Sequence, residues 1–136
     1  MAFDPYLHFQ GTCRQAMTAY QQIFGGTLSL MRYAEAPDAP AAMQASDLVM
    51  HATLAVGGRM LMASDFPPGM AGEAQAAVTI SHIASSDAEA RRQFALLGQG
   101  GTVLMDYQPT FWSDGFGMVK DRFGTHWMVS APWRQA

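Results

Sequence analysis

The sequence is short of charge. Asp, Glu, Lys and Arg make up 14% of its 136 residues, where about 25% is usual for a globular chain. A chain of this length exposes much of its surface, and a sparsely charged surface is better covered in part by a second copy, so a homodimer is expected. Its eight Lys and Arg are outnumbered by eleven Asp and Glu and form no cluster. That excludes the basic patch that nucleic acid or an anionic membrane surface requires, and neither is expected as a partner. No apolar run approaches the ~20 residues of a bilayer span. Met1-Ala2-Phe3-Asp4-Pro5 lacks a basic segment followed by an apolar stretch, so the expected location is the cytoplasm. A single cysteine, Cys13, rules out an internal disulfide and agrees with a reducing compartment. The length suits one compact domain or two small half-domains sharing a core.

What is present is an internal echo. Thr12 is followed three residues later by Gln15, with an apolar stripe at Cys13, Ala16, Met17, Tyr20 and Ile23 that ends in Gly25-Gly26-Thr27. Ser86 is followed three residues later by Glu89, with Ala90, Phe94 and Leu97, then Gly98 and Gly100-Gly101-Thr102. Each segment reads as an amphipathic helix opened by a capping box and closed by glycine. The two boxes lie 74 residues apart. Strand-like segments follow at 27–33 and 102–107, and Tyr6-Leu7-His8-Phe9 and Val78-Thr79-Ile80-Ser81 precede the helices as strands. Further strands are predicted at 49–56, 59–64, 117–120 and 127–130, with Gly57-Gly58 as a hairpin turn. The stretches 34–47 and 66–76, which carry Pro37, Pro40 and Pro67-Pro68-Gly69, read as loops, the second linking module one (about 1–66) to module two (about 77–136). The expected class is α+β, with two βαβββ modules forming curved mixed sheets.

Specific residues sharpen this pattern. His51-Ala52-Thr53-Leu54 leads to Gly57-Gly58-Arg59-Met60-Leu61-Met62-Ala63-Ser64-Asp65, and Phe111-Trp112 leads through Phe116-Gly117 to Asp121-Arg122-Phe123-Gly124-Thr125-His126-Trp127-Met128. With Pro5-Tyr6-Leu7-His8-Phe9 and Tyr20-Gln21-Gln22-Ile23-Phe24-Gly25-Gly26, nearly the whole chain resembles the PhnB-like branch of the vicinal oxygen chelate superfamily, the glyoxalase/bleomycin resistance proteins. Members of this branch often carry a label relating them to 3-demethylubiquinone 3-methyltransferase. In superfamily members that hold a metal, ligands come from the first and last strands of each module. The resemblance places Pro5, Met62, Thr79 and Met128 at those positions, and none is a usual ligand for a hard or borderline divalent cation. A one-residue shift turns a strand side chain to the other face, so His8 and His82 are not expected to substitute. No metal and no cofactor is expected.

Among residues that could carry chemistry, His51 sits on a strand, where a histidine is either a structural residue or an acid/base. Asp65 lies where a strand enters a loop, facing a cleft or anchoring the backbone ahead of Pro67-Pro68. Together they form the expected catalytic pair. Met62, Ser64, Thr79, Phe111, Trp112 and Met128 are the expected binding residues, with Phe111 and Trp112 lining a pocket from a loop. Trp127 points away from Met128, into the core. Cys13 lies on the apolar stripe of its helix, where burial suppresses reactivity. Gly98-Gln99-Gly100-Gly101 leaves a helix and enters a strand, the reverse of a nucleotide-binding loop, so a bound adenosyl cofactor has no sequence support. The expected function is metal-independent small-molecule binding. A glyoxalase-, lyase- or dioxygenase-type enzyme with a displaced metal site and an antibiotic-sequestering protein are the alternatives, and methyl transfer ranks last.

Overall fold

The computed structural model describes residues 3–135. The chain divides into two compact units, Met1–Ala74 and Gln75–Ala136. Unit one runs β1 (Tyr6–Phe9), α1 (Cys13–Phe24), β2 (Thr27–Arg32), a 3-10 turn (Tyr33–Glu35), α2 (Ala41–Gln44), β3 (Val49–Val56) and β4 (Arg59–Asp65). Unit two runs β5 (Thr79–Ile83), α3 (Asp87–Gly98), β6 (Thr102–Gln108), β7 (Phe116–Lys120) and β8 (His126–Ser130). Each unit is a four-stranded mixed sheet, ordered β1-β4-β3-β2 in the first and β5-β8-β7-β6 in the second. In both, the first and last strands pair in parallel and the remaining pairs are antiparallel. The echo in the sequence is thus a repeated βαβββ topology.

Each helix covers one face of its sheet because its apolar residues recur at helical spacing. Helix α1 buries Cys13, Ala16, Met17, Tyr20 and Ile23 against β2, β3 and β4, where Ala52, Leu54 and Ala63 are buried. Helix α3 buries Ala90, Gln93 and Leu97 against β6, β7 and β8, where Val119, Trp127 and Val129 are buried. Each large apolar side chain removed from water in this way contributes about 1.5–3 kcal/mol. The strands alternate, so the side chains at intervening positions emerge on the opposite face of each sheet.

The paired glycines after the helices have a steric cause common to both units. A Cβ on Gly26 would lie 2.2 Å from the carbonyl oxygen of Ala55 on β3, and one on Gly101 would lie 2.3 Å from that of Lys120 on β7. Helix and following strand can meet the sheet this closely only where the side chain is absent.

Two expectations need correction. The segment 34–47 is not plain loop, since it contains the end of the 3-10 turn and the single turn α2. The capping box at Thr12 does not form either: Thr12 occupies the N-cap position with its side chain making no cap bond. Other donors at this helix start go to Asp65, at the far end of β4, whose Oδ1 accepts from Gly11 N–H at 3.0 Å and Cys13 N–H at 2.9 Å. In unit two the local cap is real, with Ser86 Oγ accepting from Glu89 N–H at 3.1 Å.

Candidate functional site

The pocket-forming residues of unit two come from the sheet face away from α3. Registration places Ser81 opposite Met128 and Phe116 opposite Ser130, so these four share that face. The 109–115 loop adds Phe111 and Trp112, and Trp133 completes the lining of a cavity of about 360 Å³. Phe111 meets Trp112 edge-on, with centroids 4.8 Å apart, and Trp112 meets Phe116 at 5.3 Å. Such T-shaped contacts hold rings in defined orientations. The loop is fixed from behind: the one proton of the buried Ser113 hydroxyl is shared between Gly115 O at 2.8 Å and Ala131 O at 3.0 Å. Arg134 clamps the same loop by an ion pair to Asp114 at 2.8 Å and a bond to Thr110 O at 2.9 Å. Phe111 nevertheless remains 89% exposed and Trp133 59% exposed, leaving ring surface for a ligand. No ionisable side chain among the described residues lines the cavity.

Of the residues expected to bind, Phe111, Trp112 and Met128 therefore meet in one cavity, and Thr79 lies on the same face two residues before Ser81. Trp127 points to the other face, with its indole N–H donating to Asp121 at 2.9 Å. His126, opposite Thr79, has a buried Nδ1 with no hydrogen-bond partner among the described residues.

In unit one the structure does not bring His51 and Asp65 together. Asp65 is buried with the helix-facing residues, and its Oδ2 accepts from Val49 N–H at 2.8 Å while Oδ1 serves Gly11 and Cys13. Three backbone donors occupy the carboxylate, which anchors the start of α1 and β3 rather than the loop ahead of Pro67-Pro68. His51 emerges on the opposite face, and its partner is the hydroxyl of Tyr6, 3.0 Å from Nδ1. The expectation that His8 faces away from the Met62 position is overturned. Register pairs Tyr6 with Met62 and His8 with Ser64, so Tyr6, His8, Met62 and Ser64 share one face. The cause is that Pro5 precedes β1 and so does not set its alternation. His82 does face the helix, within 2.9 Å of Gln93 on α3. Burial lowers its pKa from the ordinary histidine value, partly opposed by that hydrogen bond.

The superfamily metal finds no matching donors. Pro5, Met62, Thr79 and Met128 supply neither imidazole nor carboxylate, and no group of three or more His, Cys, Asp or Glu side chains converges among the described residues. Hard and borderline cations need such donors. The glycine run 98–101 closes α3 and enters β6, so its amides do not open a helix toward a nucleotide.

Two βαβββ units of this topology define a protein with the glyoxalase/bleomycin resistance fold. The solved structure of a glyoxalase-related enzyme from Fulvimarina pelagi shares that fold, with a TM-score of 0.63 at 15% identity, covering 97% of this chain and 88% of that one. A family model described as 3-demethylubiquinone-9 3-methyltransferase matches residues 1–130, and the chain belongs to that family. It is 33% identical to protein YjdN of Escherichia coli, over 96% of this chain and 95% of the relative. It is 42% identical to protein PA1353 of Pseudomonas aeruginosa, whose crystal structure superposes with a TM-score of 0.87, covering 96% of this chain and 97% of that one.

Proposed function

We propose that the protein binds small molecules, and that unit two takes a flat, uncharged, largely aromatic ligand. The observation that carries this reading is a cavity of about 360 Å³ walled by Phe111, Trp112, Phe116, Met128 and Trp133, with Ser81 and Ser130 beside them and no charged group among the described residues. That volume lies in the range of small-molecule sites. Exposed rings held edge-to-face favour a planar guest, and the lack of a counter-ion disfavours a charged one. The thioether of Met128 adds a surface that adapts to ligand shape.

Two probes of the same skeleton test the reading, the uncharged N-phenyl-1-naphthylamine and its anionic relative 1-anilinonaphthalene-8-sulfonate. Fluorescence titration should show the uncharged probe binding about tenfold more tightly, and Trp112→Ala should weaken it about tenfold, the loss of one ring contact. Equal affinities, or binding indifferent to Trp112, would sink the idea.

We also infer a homodimer. Support comes from the low charge and from edge strand β6, where Val103, Leu104 and Met105 are 45%, 51% and 43% exposed. Sedimentation velocity at micromolar concentration should give twice the chain's 14.8 kDa, and a monomeric species would contradict it.

A further inference from the structure

Tyr6 sits on β1, an outer strand of unit one, yet its partner His51 sits on β3, with β4 between. The phenol ring crosses that strand to lie against the imidazole, with centroids 5.6 Å apart and planes 28° from parallel, and its hydroxyl is 3.0 Å from Nδ1. His8 flanks the pair, its ring centroid 5.1 Å from that of Tyr6. His8 is itself held by Phe66, stacked at 5.5 Å, and by Ser64 Oγ, 3.4 Å from its Nδ1. A phenol, two imidazoles and a hydroxyl from three strands thus meet on one sheet face.

Two further observations give the cluster a direction. The second ring nitrogen of His51, Nε2, has no partner among the described residues and is not closed off from solvent. Among the described residues of unit one, no carboxylate is bonded to His51, Tyr6 or His8. Asp65 is on the other side and occupied by backbone, Asp4 is tied to Arg59 and Met60, and Glu35 and Asp47 are tied to Arg32. Asp38 and Glu73 are exposed on loops. The residues registered around His51 and Tyr6 are Met31, Thr53 and Met62, all uncharged.

We propose that Tyr6 and His51 form a proton-accepting site for a small molecule with an acidic hydroxyl, a phenol or an enol, in which His51 Nε2 takes the proton and Tyr6 is the positioning residue. Tyr6 Oη accepts the Nδ1–H of His51, which fixes the tautomer and leaves the lone pair of Nε2 facing outward. The ligand O–H bond breaks, its electron pair stays on oxygen, and the proton forms the Nε2–H bond. The imidazolium then donates from both nitrogens, to Tyr6 Oη and to the ligand oxyanion.

The test uses 4-nitrophenol, whose phenolate absorbs at longer wavelength than its phenol. It is added both to the unmutated protein and to protein carrying Trp112→Ala, in which the aromatic cavity of unit two binds about tenfold more weakly, so that a rise common to both is not the cavity's and the failure of that reading is told apart. At a pH where the free probe is mostly phenol, the protein should raise the phenolate-to-phenol ratio about tenfold. His51→Gln should abolish the rise. Tyr6→Phe keeps the ring contacts and removes only Oη, so it should cut the rise several-fold and shift its pH profile. Imidazole nitrogen NMR of the unmutated protein should show His51 protonated at Nδ1, and Tyr6→Phe should yield a mixture of tautomers. A ratio that stays at its free value, a rise that survives His51→Gln, or a neutral His51 protonated at Nε2 would each overturn the proposal. The spectrum of the unmutated protein decides the matter if a variant fails to fold.

Discussion

Asp65, the last residue of β4, holds Cys13, the first residue of α1, through a 2.9 Å hydrogen bond from the Cys13 N–H. The same carboxylate accepts from Gly11 and Val49, while its backbone carbonyl accepts from the Tyr33 hydroxyl at 2.8 Å. One buried side chain therefore ties the start of α1, the start of β3 and the end of β4, positions up to 54 residues apart.

Removing that carboxylate leaves buried donors without acceptors. Hydrogen bonds to a charged group contribute about 1.5–3 kcal/mol each, and their losses overlap, so Asp65→Ala should destabilise by about 3–5 kcal/mol. Asp65→Asn keeps the acceptor for Gly11 and Cys13 but turns an amide toward Val49 N–H, and about 2 kcal/mol is expected. Urea unfolding measures both. An Asp65→Ala midpoint close to that of the unmutated protein would assign the fold's integrity elsewhere.

The extent to which the sequence disclosed all this follows from the range of the interactions. The Ser86 cap bonds within its own first turn, so a local spacing found it. The Thr12 spacing looks the same, but its hydroxyl makes no cap bond, and the start of that helix is held instead through the Cys13 N–H by a carboxylate 52 residues away. The aromatic cavity was half legible: Phe111, Trp112 and Met128 were readable as loop and strand residues, whereas Trp133 joins through an isolated bridge to Ser113. The Tyr6–His51 contact was hidden, because it depends on β4 lying between β1 and β3. The alternation of Tyr6 and His8 placed both on one face, but nothing local says which strands lie beside it.

Cys13 should behave as a core residue. It is 0% exposed, and burial, reinforced by the negative charge of Asp65, pushes its thiol from an ordinary 9.0 up to about 12. In the native protein it should react with a disulfide reagent such as dithionitrobenzoate only at the rate of opening or unfolding. Since the unfolded thiol ionises first, stability from this group is intact below about pH 9 and declines as pH rises toward 12. Rapid stoichiometric labelling of the folded protein at pH 8 would contradict this.

His82 gives the opposite pH dependence. Burial lowers its pKa in the folded state, so the unfolded chain takes up a proton first as the solution is acidified. Its contribution to stability is complete above the ordinary histidine value of 6.5 and is lost as pH falls below it. His82→Gln removes that titration, so the unmutated protein should lose more stability than the variant between about pH 7 and pH 5. Urea midpoints compared across that interval cancel the contributions of the carboxylates common to both proteins. Parallel curves would show that His82 titrates alike in both states.

The glycines after the helices make the last prediction, because the two units supply an internal control. Gly→Ala in an unstrained element changes stability by about 0.5–1 kcal/mol, through the chain entropy of the two states. Gly98 ends α3 with its nearest would-be neighbours at 3.8 and 3.9 Å, both side-chain methyls, so Gly98→Ala should be neutral or stabilising. Gly26 and Gly101 face backbone carbonyl oxygens at 2.2 and 2.3 Å, and Gly26 also has φ near +91°. A strand in a four-stranded sheet cannot retreat without breaking its ladder. Each substitution should therefore cost about 2–4 kcal/mol, with Gly26→Ala the worse because its backbone must also leave the left-handed region. Thermal melts of the three variants test whether the repeated Gly-Gly-Thr reflects the same close approach in both units. If Gly101→Ala melts with Gly98→Ala rather than with Gly26→Ala, the two units do not share that constraint.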